Sequence, residues 1–242
     1  MSFLDWVQFW KWKEKKNTKE KEKKVSVSLS IPLGVVKPSV REEHLWKEKK
    51  QREIENLVLD KPHTDVEYII LHHSLTSDKQ TVDWNSIRKY HMSYRVDHHI
   101  VSQKDFKDSL QSNAGTLYQT PWFDIGYHLG VEMVNGDYMV QHGRPLIQRG
   151  AHTKDNGMNN KSLGICVIGN WDTDDVPRRQ WLLTIMLIRK LQVVTNTINK
   201  NIIGHREAQA LAGVPLDTRK TCPGKRFNMQ KFRKNVGEYK YV

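Results

Sequence analysis

The strongest constraint on this chain is a set of short, predominantly apolar runs bounded by turn residues: Val66–Leu71, Leu163–Gly169 and the brief Ile202-Ile203. Runs of that length are read as buried strands. Helical stretches separate them. Trp84–Tyr94 carries Trp84, Ile87, His91 and Tyr94 on one helical face. Pro177–Val194 is a long helix with Pro177 in its first turn, and Phe227–Val236 is a closing helix. A hairpin breaks the alternation: Gly126–Val131 and Tyr138–Gln141 flank Asn135-Gly136, a strong two-residue turn signal. Strands, helices and one hairpin together predict an α/β fold, with a single domain built on a central mixed β-sheet flanked by helices. There is no internal repeat.

Ahead of this pattern the composition differs. The boundary is placed at residue 62, dividing a basic amphipathic N-terminal extension (1–62) from a main domain (63–242). Val40–Leu59 is charged and reads as a helix ending before Lys61-Pro62; Val25–Ile31 alternates with period two and reads as an edge strand ending at Pro32. In the first segment, Met1–Lys24, residues Phe3, Trp6, Val7 and Trp10 fall at helical spacing and a lysine-rich run follows. Two readings stand side by side: attachment to an anionic membrane or envelope surface, and a helix docked on its own domain.

The formal charge of +12 points to a polyanionic partner: nucleic acid, anionic lipid or a cell-wall polymer. No nucleic-acid motif is present and the lysines cluster in the N-terminal arm, so no nucleic acid is expected. No stretch reaches the length of a membrane span. The N-terminus lacks the order and cleavage site of a signal peptide, so synthesis and folding in a cytoplasm are expected, with any action on a cell wall following release or delivery.

Four polar points stand at strand ends or turns: His72, Tyr127, His205 and the Lys220-Thr221-Cys222-Pro223 run. Two imidazoles and a thiolate make a three-ligand zinc site with a fourth position open to water, and a phenol and an ammonium beside it suit an oxyanion. Spacing alone gives this set little specificity, because it lacks a local motif such as H-E-x-x-H. Of the two cysteines, Cys166 lies in the apolar run and reads as a small buried hydrophobe, while Cys222 sits in a loop suited to a ligand. A Cys166–Cys222 disulfide would remove that ligand, so the two readings exclude each other. Among eleven histidines, His44, His63 and His91 read as ordinary surface or core imidazoles. The pairs His72-His73 and His98-His99 each place at most one ring in a shared site, since strand neighbours point to opposite faces.

Residues 66–235 resemble the zinc-dependent N-acetylmuramoyl-L-alanine amidases, the family that includes phage T7-type lysozyme and the peptidoglycan recognition proteins. The resemblance runs in order through Leu71-His72-His73-Ser74-Leu75-Thr76, Asp124-Ile125-Gly126-Tyr127-His128, Asn135-Gly136-Asp137 with Gly143-Arg144-Pro145, and Gly150-Ala151-His152. It continues through Asn160–Ile165 with Ile168–Asp172, Gly204-His205-Arg206-Glu207 and Lys220–Gly224. Each motif alone is weak; their order along one chain is specific.

The resemblance implies one zinc ion held by His72, His205 and Cys222, with Tyr127 and Lys220 as catalytic residues. It implies a phage endolysin type of enzyme that hydrolyses the amide between N-acetylmuramic acid and L-alanine in peptidoglycan. The alternative is a non-catalytic peptidoglycan-binding protein of the same fold, many of which lack the ligand cysteine. His152, Asn160 and Arg144 are candidate substrate contacts. His73 and His128 are expected to face away from the site, in packing or supporting roles. No carboxylate at a motif position is an obvious general base. Residues 1–62 have no counterpart in the compact phage form, and Val96–Pro121 reads as an insertion or lengthened loop ahead of Tyr127.

Overall fold

The structure is a computed structural model describing residues 38–76, 83–110 and 115–240. The segment Met1–Lys24 and the expected strand Val25–Ile31 lie outside the described residues. Along the chain the strands are β1 (Tyr68–His73), β2 (Arg95–Val96), β3 (His99–Ile100), β4 (Tyr118–Gln119), β5 (Leu129–Val134), β6 (Asp137–His142), β7 (Ser162–Val167) and β8 (Ile202–Gly204). The helices are α1 (Val40–Glu55), α2 (Asp83–His91), α3 (Gln103–Ser109), α4 (Arg178–Thr195), α5 (His205–Leu211) and α6 (Met229–Glu238).

The central sheet has the order β6-β5-β7-β1-β8. β5, β7, β1 and β8 run parallel, and β6 joins antiparallel through the hairpin. That hairpin turns on Asn135 at φ 51° and Gly136 at φ 84°, the left-handed pair a type I′ turn requires. The sheet is mixed and flanked by helices, as the sequence pattern predicts.

Strand periodicity sorts the side chains into two layers. Ile69 and Leu71 of β1 and Leu163, Ile165 and Val167 of β7 share a core with Leu183, Met186, Leu187 and Leu191 of α4 and Phe232 and Val236 of α6. Each such side chain contributes roughly 1.5–3 kcal/mol by leaving water. The alternate residues, Ile70 and His72 on β1 facing Gly164 and Cys166 on β7, form the other face. Trp84 and Ile87 of α2 pack beside Cys166 there, and Met158 and Ala208 beside Ile70. The apolar layer thus leaves one face to carry chemistry.

Element ends differ from the sequence reading for physical reasons. Pro177 sits one residue before α4, at φ −55° and ψ 140°, where its missing N–H costs no helical bond. α2 stops at His91, and Tyr94 turns away to stack on Phe106 at 4.9 Å. The stretch Val96–Pro121 is more than a lengthened loop: β2, β3 and β4 form a small antiparallel sheet in the order β3-β2-β4, with α3 beside it.

Residue 62 does not mark the edge of the packed unit. α1 opens on a capping box, in which Glu42 N–H donates to Ser39 Oγ at 3.2 Å and Ser39 N–H to Glu42 Oε2 at 2.7 Å. Trp46 and Ile54 then enter the same core as α4. Trp46 Nε1–H donates to Asp137 Oδ1 at 2.7 Å, and the buried ammonium of Lys50 lies 2.8 Å from Asp137 Oδ2. These bonds tie α1 to the start of β6.

Candidate active site

His72 is the penultimate residue of β1 and points to the face opposite α4. β8 pairs with β1 in parallel, with Gly204 opposite Leu71, so His205, the next residue and the first of α5, emerges beside His72. Their ring centroids are 4.7 Å apart. The start of α5 is held by Glu207, whose carboxylate accepts from Gly204 N–H at 2.8 Å and pairs with both terminal nitrogens of Arg233 at 2.8 and 3.0 Å.

Cys222 comes from a loop secured on several sides. Arg206 N–H donates to Cys222 O at 2.8 Å, and the Arg206 guanidinium donates to the carbonyls of Thr221, Gly224 and Phe227 at 3.0, 2.6 and 2.9 Å. Asp172 accepts from Thr221 Oγ1–H and from Lys225 N–H, each at 2.8 Å. Lys220 N–H donates to Gln209 Oε1 at 2.8 Å.

The ligand atoms of His72, His205 and Cys222 lie within 4.8 Å of one another, and all three residues are buried. Cys222 Sγ is 3.6 Å from His72 Nδ1. A tetrahedral zinc site with ordinary Zn–N and Zn–S bonds has an N···S edge of about 3.5 Å, so the pair is spaced to share one ion. Burial holds the His72 ring well below its ordinary pKa, reinforced by His205, His152 and Lys220. The imidazole is therefore neutral, the state a ligand needs. Burial pushes the Cys222 thiol up to about 12, while a hydrogen bond from the His73 backbone and the nearby Lys220 and Arg206 charges act the other way. A dication at this point would favour the thiolate strongly.

The trio lies at the base of a cavity of about 440 Å³ that also touches Tyr127, Lys220, His91, Trp122, Lys154 and Asn159. The Tyr127 ring centroid is 5.2 Å from that of His72. Its segment is strapped to the hairpin base: Arg144 N–H donates to Tyr127 O at 3.0 Å and Gly143 N–H to His128 O at 2.8 Å. Only glycine fits at 143, because a Cβ there would lie 2.2 Å from Tyr127 O. Burial holds the Tyr127 phenol well above its ordinary pKa, with Cys166 and Cys222 adding to the shift, so it stays a hydrogen-bond donor. Among the described residues lining the cavity there is no carboxylate.

The remaining site expectations divide. His152 is buried, and its Nδ1 lies 2.9 Å from His72 Nε2, so it meets a ligand's far nitrogen. Asn160 is exposed and accepts from Arg149 at 3.2 Å; its neighbour Asn159 lines the cavity instead, and Asn159 Oδ1 accepts from His152 N–H and Thr153 N–H at 3.0 and 2.9 Å. Arg144 does not line the cavity. Its guanidinium donates to the carbonyls of Ile125, Arg149 and Asp124 at 2.7, 2.9 and 3.3 Å, clamping the loop that carries Tyr127. His128 Nδ1 accepts from Gly164 N–H and its Nε2 donates to Gln148 O, both at 2.9 Å, while His73 Nδ1 accepts from Trp171 N–H at 3.3 Å.

His91 and Trp122 were not singled out by sequence reasoning as site residues. They stack at 4.5 Å and form one wall of the cavity. The available signal was the Trp84–Ile87–His91 stripe: a polar ring closing an apolar helical face faces whatever that face covers.

The arrangement defines a class, an α/β domain whose neighbouring parallel strands deliver a buried His–His–Cys ligand set to the floor of a cleft, at the strand ends where such sheets place their sites. Within that class, the chain belongs to the N-acetylmuramoyl-L-alanine amidase family, which matches residues 62–225. It is 30% identical over 161 residues to peptidoglycan-recognition protein LB of Drosophila melanogaster, covering 66% of this chain and 55% of that protein. It is 28% identical over 112 residues to the endolysin of Enterobacteria phage T3, covering 46% of this chain and 54% of the endolysin. The matched segment thus spans little more than half of either relative. Among solved structures, the amidase endolysin LysCS of Clostridium intestinale is similar at a TM-score of 0.47 and 20% identity, over 75% of this chain and 92% of that one. Bumblebee peptidoglycan recognition protein SA is similar at a TM-score of 0.47 and 24% identity, over 74% and 90%.

Proposed function

We propose that this chain is a zinc-dependent amidase that hydrolyses the bond between the lactyl group of N-acetylmuramic acid and the L-alanine of the peptidoglycan stem. The observation that carries this reading is the convergence of His72, His205 and Cys222 under a cleft that Tyr127 and Lys220 also face. Zinc bound there would supply Lewis-acid chemistry, acidifying water and polarising the scissile carbonyl. The chain's own groups supply the rest. Tyr127, kept protonated by burial, donates a hydrogen bond to the oxygen that gains charge as the carbonyl is attacked. Lys220 brings a positive charge to the same oxygen and a proton for the departing amine. With no carboxylate among the described lining residues, proton transfer falls to these two groups and to the imidazoles. Removing the Tyr127 hydroxyl or the Lys220 ammonium is expected to cost about 2–4 kcal/mol of transition-state stabilisation.

Mass spectrometry of digested peptidoglycan, with metal analysis of the same protein, tests the reading. Stem peptides with a free L-alanine amino terminus and one zinc per chain are expected; reducing sugar ends would point to glycosidase action instead. A wall binder without turnover would be indifferent to Cys222→Ala and Lys220→Ala. We also propose that the chain acts in endolysin fashion on the wall after release or delivery, with the aromatic and lysine-rich residues 1–24 drawing it to the anionic envelope. Deleting them should lower lysis of whole cells and spare activity on soluble muropeptide; equal losses on both would reject the targeting role.

A further inference from the structure

The far side of His72 is occupied by a hydrogen-bond chain with only one possible direction. It ends at the main-chain carbonyl of Met158, which can only accept. Ser162 Oγ–H donates to that carbonyl at 2.7 Å and so spends its single proton. Ser162 Oγ lies 3.5 Å from His152 Nε2. The Ser162 hydroxyl therefore has no proton to offer the ring, and the proton between the two belongs to His152 Nε2. A neutral imidazole carries one proton, which leaves His152 Nδ1 bare. The 2.9 Å contact from His152 Nδ1 to His72 Nε2 then requires the proton on His72 Nε2. His72 Nδ1 is left with its lone pair, on the side where Cys222 Sγ stands 3.6 Å away.

The seat of His152 is built for this ring. A Cβ on Gly164 would lie 2.4 Å from His152 Cδ2, and one on Gly150 would lie 2.5 Å from the same atom. Asn159 holds the main chain of His152 from the other side.

We propose that His152 is a positioning residue that locks His72 in the Nε2–H tautomer, with the direction set by the Met158 carbonyl, so that Nδ1 is permanently presented as the ligand atom. The purpose of that bare nitrogen rests on the zinc amidase reading; the tautomer itself does not. Ligand histidines are generally oriented by a partner on the other ring nitrogen, most often a carboxylate, carbonyl or water. Here the partner is a second neutral imidazole, which orients without adding negative charge.

Long-range proton–nitrogen correlation spectra of the metal-free, nitrogen-15-labelled full chain read the tautomer directly. In the wild type, His72 should show a protonated Nε2 and a bare Nδ1; a protonated Nδ1 overturns the proposal. His152→Leu keeps the bulk and removes the acceptor, whereas His152→Asn keeps a carbonyl oxygen near the place of Nδ1. The leucine variant should lose the tautomer preference and bind zinc about 10–100-fold more weakly in competition with a chromophoric chelator. The asparagine variant should retain both properties near the wild-type level. A folded leucine variant with unchanged tautomer and zinc affinity overturns the proposal, and so does an asparagine variant as impaired as the leucine one, which would assign the effect to packing. Should the leucine variant fail to fold, the wild-type spectrum and the asparagine variant decide. A wild type with the expected tautomer and no amidase turnover would sink the amidase reading and leave this one standing.

Discussion

The main-chain N–H of Arg206 donates to the carbonyl of Cys222 at 2.8 Å, so the residue following one ligand grips the loop that carries another. Its guanidinium adds bonds to the carbonyls of Thr221, Gly224 and Phe227. Arg206→Met would keep the main-chain bond and remove all three guanidinium bonds. The Thr221 and Gly224 carbonyls still accept from Gly224 N–H at 2.9 Å and Phe227 N–H at 3.1 Å, whereas the Phe227 carbonyl loses its bond, at about 1–3 kcal/mol if water does not reach it. A stability loss of roughly 1–3 kcal/mol in urea, with weaker zinc retention on dialysis, is expected. Unchanged retention would mean that Asp172 and Gln209 suffice to hold the loop.

Gly164 is required by the histidine lying against it, since its backbone approaches the His152 ring too closely for any Cβ. Gly164→Ala should therefore destabilise the domain by about 1–3 kcal/mol through overpacking. Thermal melts of the two proteins check this. A neutral result would require the ring to have moved, which the His72 and His152 imidazole resonances would show.

Stability should fall in mild acid. Burial holds His128 at about 4 and His91 at about 3, whereas an unfolded histidine titrates near 6.5. Both folded values are depressed, so below about pH 6.5 the unfolded chain takes up protons that the folded chain refuses. The stabilisation is complete above that pH and is lost as pH falls through 4 toward 3, at up to about 1.4 kcal/mol per pH unit for each group. His128 has a structural reason to resist, because protonating Nδ1 would break the bond it accepts from Gly164 N–H. Urea unfolding at a series of pH values from neutral to 4.5 measures the slope; a flat profile would contradict it.

Trp46→Ala tests whether α1 belongs to the domain. The ring is 8% exposed, donates to Asp137 and lies under the Arg179 guanidinium at 5.1 Å. A loss of about 3–5 kcal/mol is expected for removing a buried tryptophan. A variant as stable as the wild type would show α1 to be an appendage.

The central sheet could be read in the sequence because its strands are apolar runs with few alternatives and its hairpin turn is chemically distinctive. The His72, His205 and Cys222 set was visible only through ordered resemblance, since the pairing of β1 with β8 that unites the two histidines leaves no local spacing signal. α1 was assigned to an extension because it is mostly charged: its attachment depends on Trp46, Ile54 and a lysine buried against a carboxylate, none of which periodicity reveals. The choice between Asn159 and Asn160 turns on one step at the end of the short 3-10 turn Asp155–Asn160, a backbone with about three residues per turn that matches neither the α-helical nor the strand period. His91 was passed over because an imidazole on a mostly apolar face is usually packing.

His72 and Cys222 are separated by 150 positions in the chain yet stand in contact distance. An ion held between them would act as a clasp across nearly the whole domain, fastening the first strand of the central sheet to the loop that precedes the last helix. The unfolded chain contains no comparable arrangement, so the free energy of binding would be added to that of folding, increasing with the ratio of free metal to dissociation constant. Chelation is then expected to lower the melting temperature of the entire domain as one cooperative unit, and metal supply would govern how long the protein survives as well as how fast it works.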